Sequence, residues 1–502
     1  MKRFWKINIF TGFLTLFSGL LTTNANPGIR LRFTDKGLQL VDTVAIQLLN
    51  EKVKTATIPD ISGDADTPVG HISYSLSSVH FNSLSIPSST FKTDPGVGLT
   101  LQISNAQVSL SGNWHYRKDH WPHISDSGSF DLDASGLALS VSAKLGADST
   151  GHPTIATSSC SSSVGDVNIH FHGGASWLYN LFDSYVAGKI KDTLQDKLCQ
   201  EVSEVINNNA EKELSTFPVK KQIDRYALIN YSLVSSPVFN ESYLDVFIKG
   251  EFQSATDPKE APFSPVSLPT DSESAKMAYV WLTDYVFNTA GLVYQDAGFL
   301  NETVTPSMLP PNFSYPLNTS TFKLIIPKLY LMYPNRPMKL VAHSTLRPTV
   351  TTSSSGIALT MTGQVETYAQ LENGSFVYTF TMGLNISASV KVAVRQTNVT
   401  GHVDSVKVKV SLIKSAIGDI SINMKLLQFA LDAFADQIIA KQLNKIGDVG
   451  FPLPVVDGVQ LVNAEVTPGK GFNLIATDVK YSPGKSDATD NRPRGRNKIV
   501  IV

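Results

Sequence analysis

The sequence predicts an α+β protein built twice to one plan, a twisted antiparallel sheet closed by long amphipathic helices. Three observations carry this. Runs of alternating apolar and polar residues fill 71–167 and 323–410, the period of half-buried strands. Helical stripes flank both sets, one opening at Leu38, one over 175–213 and one over 424–445, with apolar residues every three or four positions. Between the two halves, Pro258, Pro262, Pro265 and Pro269 interrupt all regular patterning. Composition agrees. At 502 residues and 42% apolar the chain is long and apolar enough for several packed domains, and only 17% charged residues suits a β-rich secreted protein.

The first segment, 1–25, places Lys2, Arg3 and Lys6 before an apolar run over 7–21 and ends on small residues at Ala25. This is the pattern of a secretory signal peptide cleaved before Asn26, and the run is too short to span a bilayer. The product is therefore expected to be secreted and extracellular, directly or after storage in granules. Cleavage takes the net charge from -1 to -4.

The first domain is expected over 26–250. Its opening helix carries Leu38, Val41, Ala45, Leu48 and Lys52, widened by Val44, Leu49 and Val53, until Pro59 stops it. A meander follows, with strands such as Leu99, Leu101, Ile103 and Leu137, Leu139, Val141. The next helix, over about 175–213, turns Leu178, Leu181, Phe182, Tyr185, Ile190, Leu194 and Leu198 to one side. In an oxidising compartment the simplest reading of Cys160 and Cys199 is one disulfide clipping helix to sheet. Such a closure is worth about 3–4 kcal/mol. Residues 251–275 read as a proline-rich linker and central region. A second domain is expected over 276–481, with strands from 323, a helix bearing Leu427, Leu431, Phe434, Ile438 and Leu443, and one last strand over 460–480. The tail, 482–502, carries a net of +3 and is expected to be disordered.

Nothing in the chain announces catalysis. It lacks the nucleophile elbow, the zinc-protease helix, the phosphate loop and the dinucleotide turn, so neither an enzyme nor a cofactor is expected. Two cysteines are too few for a four-thiolate zinc site. His170 and His172 share a strand face and would suit either a metal or plain exposure, with no third ligand nearby. The absence of a basic domain argues against nucleic acid. Eight glycosylation sequons begin at Asn230, Asn240, Asn301, Asn312, Asn318, Asn373, Asn385 and Asn398, and none falls in 26–229. The first half is thereby left bare for a large surface. One hairpin interleaves Trp114, His115, Tyr116, Arg117, Lys118, His120, Trp121 and His123. That mixture suits either a membrane interface or an ordinary tip with its aromatics folded back on the sheet.

Several stretches also carry a resemblance. The start from Asn26 to Leu38, the stretch from Leu282 to Gln295, the two cysteines, and Gly450 to Pro454 resemble the family of bactericidal permeability-increasing protein, lipopolysaccharide-binding protein and the plasma phospholipid and cholesteryl ester transfer proteins. Phe33 departs from it, where a β-branched aliphatic is usual. The resemblance covers about 26–481 and is strongest to the bactericidal and lipopolysaccharide-binding branch.

It implies an elongated boomerang of two barrel-like domains joined by a central sheet, each domain holding a phospholipid as ligand in an apolar tunnel between helix and sheet; a monomer is expected. Wall candidates are Leu38, Val41, Leu48, Leu181, Phe182 and Tyr185, then Leu427, Leu431, Phe434 and Ile438; each is equally compatible with plain core packing. It also implies recognition of lipid A of lipopolysaccharide at the Gram-negative outer membrane by the tip of the first domain. Matching positions are Lys52, Lys54, Arg117 and Lys118 as phosphate partners, with Trp114 and Trp121 as aromatic contacts. The chain departs from bactericidal members in charge, since 26–240 carries a net of -5 and Gly173-Gly174 stands where a lysine-bearing loop is usual. Antibacterial action driven by charge is weakened by this; endotoxin binding, or lipid transfer without killing, is not. Eight of the ten histidines lie in this half, so acidification is expected to raise its affinity for anionic membranes.

Overall fold

The computed structural model describes residues 26–482, apart from 54–57, 59, 68–69, 175–178, 272, 311–312 and 456–457. The signal segment, Lys54, Asn312 and the tail lie outside the described residues, as do the side chains of Leu48, Lys52, Leu181, Phe182 and Tyr185.

After β1 (Ile29–Thr34), the chain enters α1 (Asp35–Val53), with Asp35 placing negative charge at the helix's positive end. Seven strands follow: β2 (Ile61–Thr67), β3 (Gly70–Ser85), β4 (Ser88–Asp94), β5 (Gly98–Lys118), β6 (Ser125–Ala147), β7 (Pro153–Ser163) and β8 (Asp166–His172). All belong to one antiparallel sheet in the order β2-β3-β5-β6-β7, with β4 also on β5 and β8 also on β6. Strands β5 and β6 are long enough, at 21 and 23 residues, to be served by different partners along their length. Half of the sheet approaches the centre of the molecule, where Thr93 donates to the Asn240 carbonyl (2.6 Å) and Leu233 to that of Gly151 (2.8 Å). The other half ends remotely, in the 119–124 turn.

The alternation of β5 and β6 seats Ile103, Val108, Leu110, Phe130 and Leu132 on one buried face. Onto it packs α2 (Tyr179–Glu204) through Ile190, Leu194 and Leu198, and α1 through Ile46. The expected helix over 175–213 is thus present, but it passes through a π-helical turn (Val205–Ala210) before Glu211–Ser215.

Short strands then lead to the centre: β9 (Lys220–Gln222), β10 (Ala227–Asn230), β11 (Val238–Phe239), β12 (Tyr243–Ile248), β13 (Glu251–Ser254) and β14 (Ala278–Thr283). There β1 lies between β12 and β14, joining the two halves. The proline-rich segment crosses this sheet and is held to it. Arg30 donates to the Pro269 carbonyl (2.8 Å), and Arg32 grips Asp245 with two bonds of 2.8 Å while reaching Asp271. Both guanidinium groups lie over the buried Trp281 ring. What sequence reads as a linker is an ordered strap.

The second half contains α3 (Asp284–Asp296), β15 (Asn301–Val304), α4 (Pro327–Met332), β16 (Met338–Ser353), β17 (Gly356–Gln370), β18 (Phe376–Arg395), β19 (Asn398–Ser415), α5 (Met424–Phe434) and β20 (Phe451–Pro452). Beyond α5 the helical path continues through a π-helical turn to Gly447. Its sheet runs β15-β16-β17-β18-β19-β20. Two expectations change here. The apolar run at 323–332 is a turn and α4 rather than a strand, because Pro327 suits a first helical turn. The single last strand is a hairpin, β21 (Val459–Pro468) and β22 (Phe472–Tyr481), turning at Gly469 and Gly471, and β22 pairs with β14. Among the described residues each large sheet is open, so helices close the domains where the resemblance implies barrels.

Candidate functional site

The remote end of the first sheet gathers the aromatic and cationic hairpin. Trp121 stands 86% exposed in the turn after β5, while Trp114, only 7% exposed, is part of the core. Its ring stacks on Tyr116 (centroids 6.0 Å apart), meets Phe171 edge-on (5.9 Å), and donates its indole N–H to the His172 carbonyl (3.3 Å). Expected as a tip contact, Trp114 is therefore an anchor: it stands two positions from Tyr116 on the strand, so both face inward. The Gly173-Gly174 turn closes against this anchor. Gly174 has φ +77°, and a Cβ there would stand 2.8 Å from the Trp114 ring and 2.6 Å from an Asp126 oxygen.

Cationic charge at this end is partly spent. Arg117 donates Nε and a terminal nitrogen to Asp119 (3.1 and 3.0 Å), and Ser73 donates to the same carboxylate (3.1 Å). These bonds, that of Ser73 foremost, hold the Asp119 carboxyl below the usual carboxylate range. Lys118 has no carboxylate partner among the described residues, and its stem lies over Gly70, where a Cβ would stand 3.0 Å from Cε. Around them lie Asp64, Asp66 and Asp126. The Asp119 partner is visible in sequence only as the Arg117-x-Asp119 spacing, with Asp119 just past the end of β5; the approach of β2 is not. Nearby, His71 donates its Nδ1–H to Asp66 (2.8 Å), a bond that raises the imidazole pKa. His172 pairs with Asp131 (2.9 Å), and no cluster of three metal-ligating side chains exists among the described residues.

The apolar space between helices and sheets is the second element of the site. In the first domain Phe81, Leu84, Leu101 and Leu139 border the core without being sealed in it. Leu38 is sealed, whereas Val41 is 45% exposed and outside the core clusters. The reason is rotation of the stripe: Asp42, not an apolar residue, takes the inward place and accepts from Ser89 (2.7 Å). In the second domain Leu427, only 5% exposed, is core rather than a wall. Leu431 borders two apolar clusters, Phe434 meets Phe313 edge-on at 6.3 Å, and Ile438 is half-buried outside the clusters. Leu431, with Leu359, Met361 and Leu384 on the facing sheet, lines a half-open apolar face.

Among the sequons, Asn230 is buried and its amide oxygen accepts the Ser232 N–H (2.9 Å), which leaves no room for a glycan. Asn301, Asn373 and Asn385 are exposed, while Asn240, Asn318 and Asn398 are half-buried. The disulfide is formed, with Cα atoms of Cys160 and Cys199 5.7 Å apart, joining β7 to α2.

Comparison with known proteins covers nearly all of this architecture. Residues 37–209 match the N-terminal domain model of the LBP / BPI / CETP family, and 221–481 match its C-terminal domain model. The bactericidal permeability-increasing protein of Sebastes schlegelii is 34% identical, covering 92% of this chain and 97% of its own. The lipopolysaccharide-binding protein of Homo sapiens is 32% identical, covering 91% and 94%. A crystal structure of lipopolysaccharide binding protein superposes with a TM-score of 0.62 at 30% identity, over 91% of this chain and 99% of that one.

Proposed function

The chain belongs to the LBP / BPI / CETP family, and from that premise we propose that it is a secreted, non-enzymatic lipid-binding protein that takes lipid A of lipopolysaccharide at the 119–124 end and holds phospholipid along its half-open apolar faces. The observation that carries the reading is Trp121, standing almost fully exposed beside Arg117 and Lys118 at the remote end of the sheet. An exposed indole next to cations suits the boundary between acyl chains and phosphates. Lys118 would serve as the phosphate partner, and Arg117 would do so on exchanging Asp119 for a phosphate oxygen. No bond is made or broken.

Acidic balance favours binding and carriage over killing. With a net of -5 over 26–240 and four carboxylates around the tip cations, no broad field draws the domain to an anionic outer membrane. Lipid A titration of the intact protein tests the reading. Saturable binding is expected, weakened at least about tenfold by Arg117→Glu with Lys118→Glu, since each charge-assisted contact contributes about 1.5–3 kcal/mol. Unchanged affinity in that variant refutes tip recognition. Phospholipid exchange between vesicles should instead fail when Leu431→Trp fills the second apolar face.

A further inference from the structure

A second end of the molecule combines apolar and basic residues, and it lies on the domain that carries the sequons. The end of the second sheet away from the centre is reached by the start of β16, the end of β17 and the end of β19. Across it lies α4, joined to α5 where the backbone N–H of Asn423, the cap of α5, donates to the Ile325 carbonyl (2.9 Å). Inward side chains here, Ile326, Leu329 and Leu427, form a sealed core. The outward ones are apolar as well. Leu331 is 78% exposed and Phe429 65%, and Leu324, Met332 and Met424 are exposed too. Leu324 and Met424 each adjoin a partner of the Asn423–Ile325 bond, so the two segments present these side chains side by side. Single exposed apolar residues need no explanation; a group on two abutting segments does.

The charge of this end is opposite to that of the molecule. Segments 323–336 and 414–428 carry Lys323, Lys328, Arg336, Lys414 and Lys425 against Asp419, and with Glu372 of the β17–β18 turn, the partner of Arg336, counted in, the net is +3, within a chain whose residues 26–481 total -7. Pairing with a second copy through this face would bring two such basic sets together, whereas an acidic lipid surface complements it.

We propose that this end is a docking surface for anionic phospholipid bilayers, separate from the lipid A end. Leu324, Leu331 and Phe429 enter the acyl boundary while Lys323 and Lys425 keep their ammonium groups at phosphate depth. The Lys323 ammonium lies 5.0 Å from the Tyr330 ring centroid.

Flotation of the intact protein with phosphatidylcholine vesicles, with and without phosphatidylglycerol, tests this. Wild type floats with the anionic vesicles and much less with the neutral ones. Leu331→Asp with Phe429→Asp is expected to weaken anionic binding at least about tenfold, given the transfer free energy of two large apolar side chains. Lys323→Glu with Lys425→Glu should do the same, and this second variant decides if the first fails to fold. Lipid A binding remains at the wild-type level in both, which separates this proposal from tip recognition. Anionic vesicle binding that stays unchanged while the thermal midpoint is unchanged overturns it. So does a fall from dimer to monomer, in sedimentation of the variants, with vesicle binding intact, because the face would then belong to a protein interface.

Discussion

Trp114 and Trp121 share one hairpin and differ in everything that decides their use. Trp114 fills the core between Tyr116 and Phe171, so Trp114→Ala is expected to cost about 3–5 kcal/mol, read by denaturant unfolding. Trp121 touches little, and Trp121→Ala should leave stability within about 0.5 kcal/mol while weakening lipid A binding. The composition of the hairpin was legible in sequence; the strand register supplies the reason that Trp114 is the indole facing inward. His71 permits a finer test. Its bond to Asp66 favours the protonated imidazole and raises the pKa. Stability from this pair is present below the ordinary imidazole value of about 6.5 and lost as pH rises through the raised folded value. Asp66→Asn should therefore lower the His71 midpoint in an NMR titration; an unmoved midpoint would show that Asp66 is not the cause.

Elements were legible where one physical requirement repeats along the chain. Alternation located the long strands β5 and β6, and the three-to-four spacing located α1, α2 and α5, because each must bury one face. What escaped was set by neighbours distant in sequence. The inward place of Asp42 on α1 depends on Ser89 of β4, and the run at 323–332 becomes α4 because it covers the end of a sheet. The tie between β7 and α2 shows how such contacts add up. β7 is a sheet edge, yet the helix satisfies part of it: Asn207 accepts the Thr157 N–H (2.8 Å) and Gln195 takes the Ser162 hydroxyl on its carbonyl (2.7 Å), beside the disulfide. Replacing Cys160 and Cys199 with Ser is expected to lower stability by about 3–4 kcal/mol through the freed unfolded chain. The 205–215 stretch should become the first site cut in limited proteolysis, read by mass spectrometry of the fragments.

At the scale of the whole molecule, duplication and a central break are visible in sequence, but the joint is not. β1 pairs with strands more than two hundred residues away on both sides, and Arg32, buried against Asp245 of β12, ties the strap to them through Asp271. The two ends held apart by this joint differ in how they should respond to acid. Around the first end stand His71, His120 and His123 with Asp64, Asp66, Asp119 and Asp126, facing Arg117 and Lys118. The second end, over 323–336 and 414–428, holds no histidine. Lowering pH from about 7.4 to about 5.5 crosses the ordinary imidazole range. Protonation of His71, favoured by its bond to Asp66, balances that carboxylate, so the first end loses part of its repulsion toward anionic lipid. Flotation with phosphatidylglycerol vesicles is thus expected to rise on acidification in wild type, and by a larger factor in Leu331→Asp with Phe429→Asp, where the first end carries a larger share of the binding. Equal binding at both pH values would remove the histidines from the account; a pH response abolished by the second-end variant would show that the two ends do not bind independently.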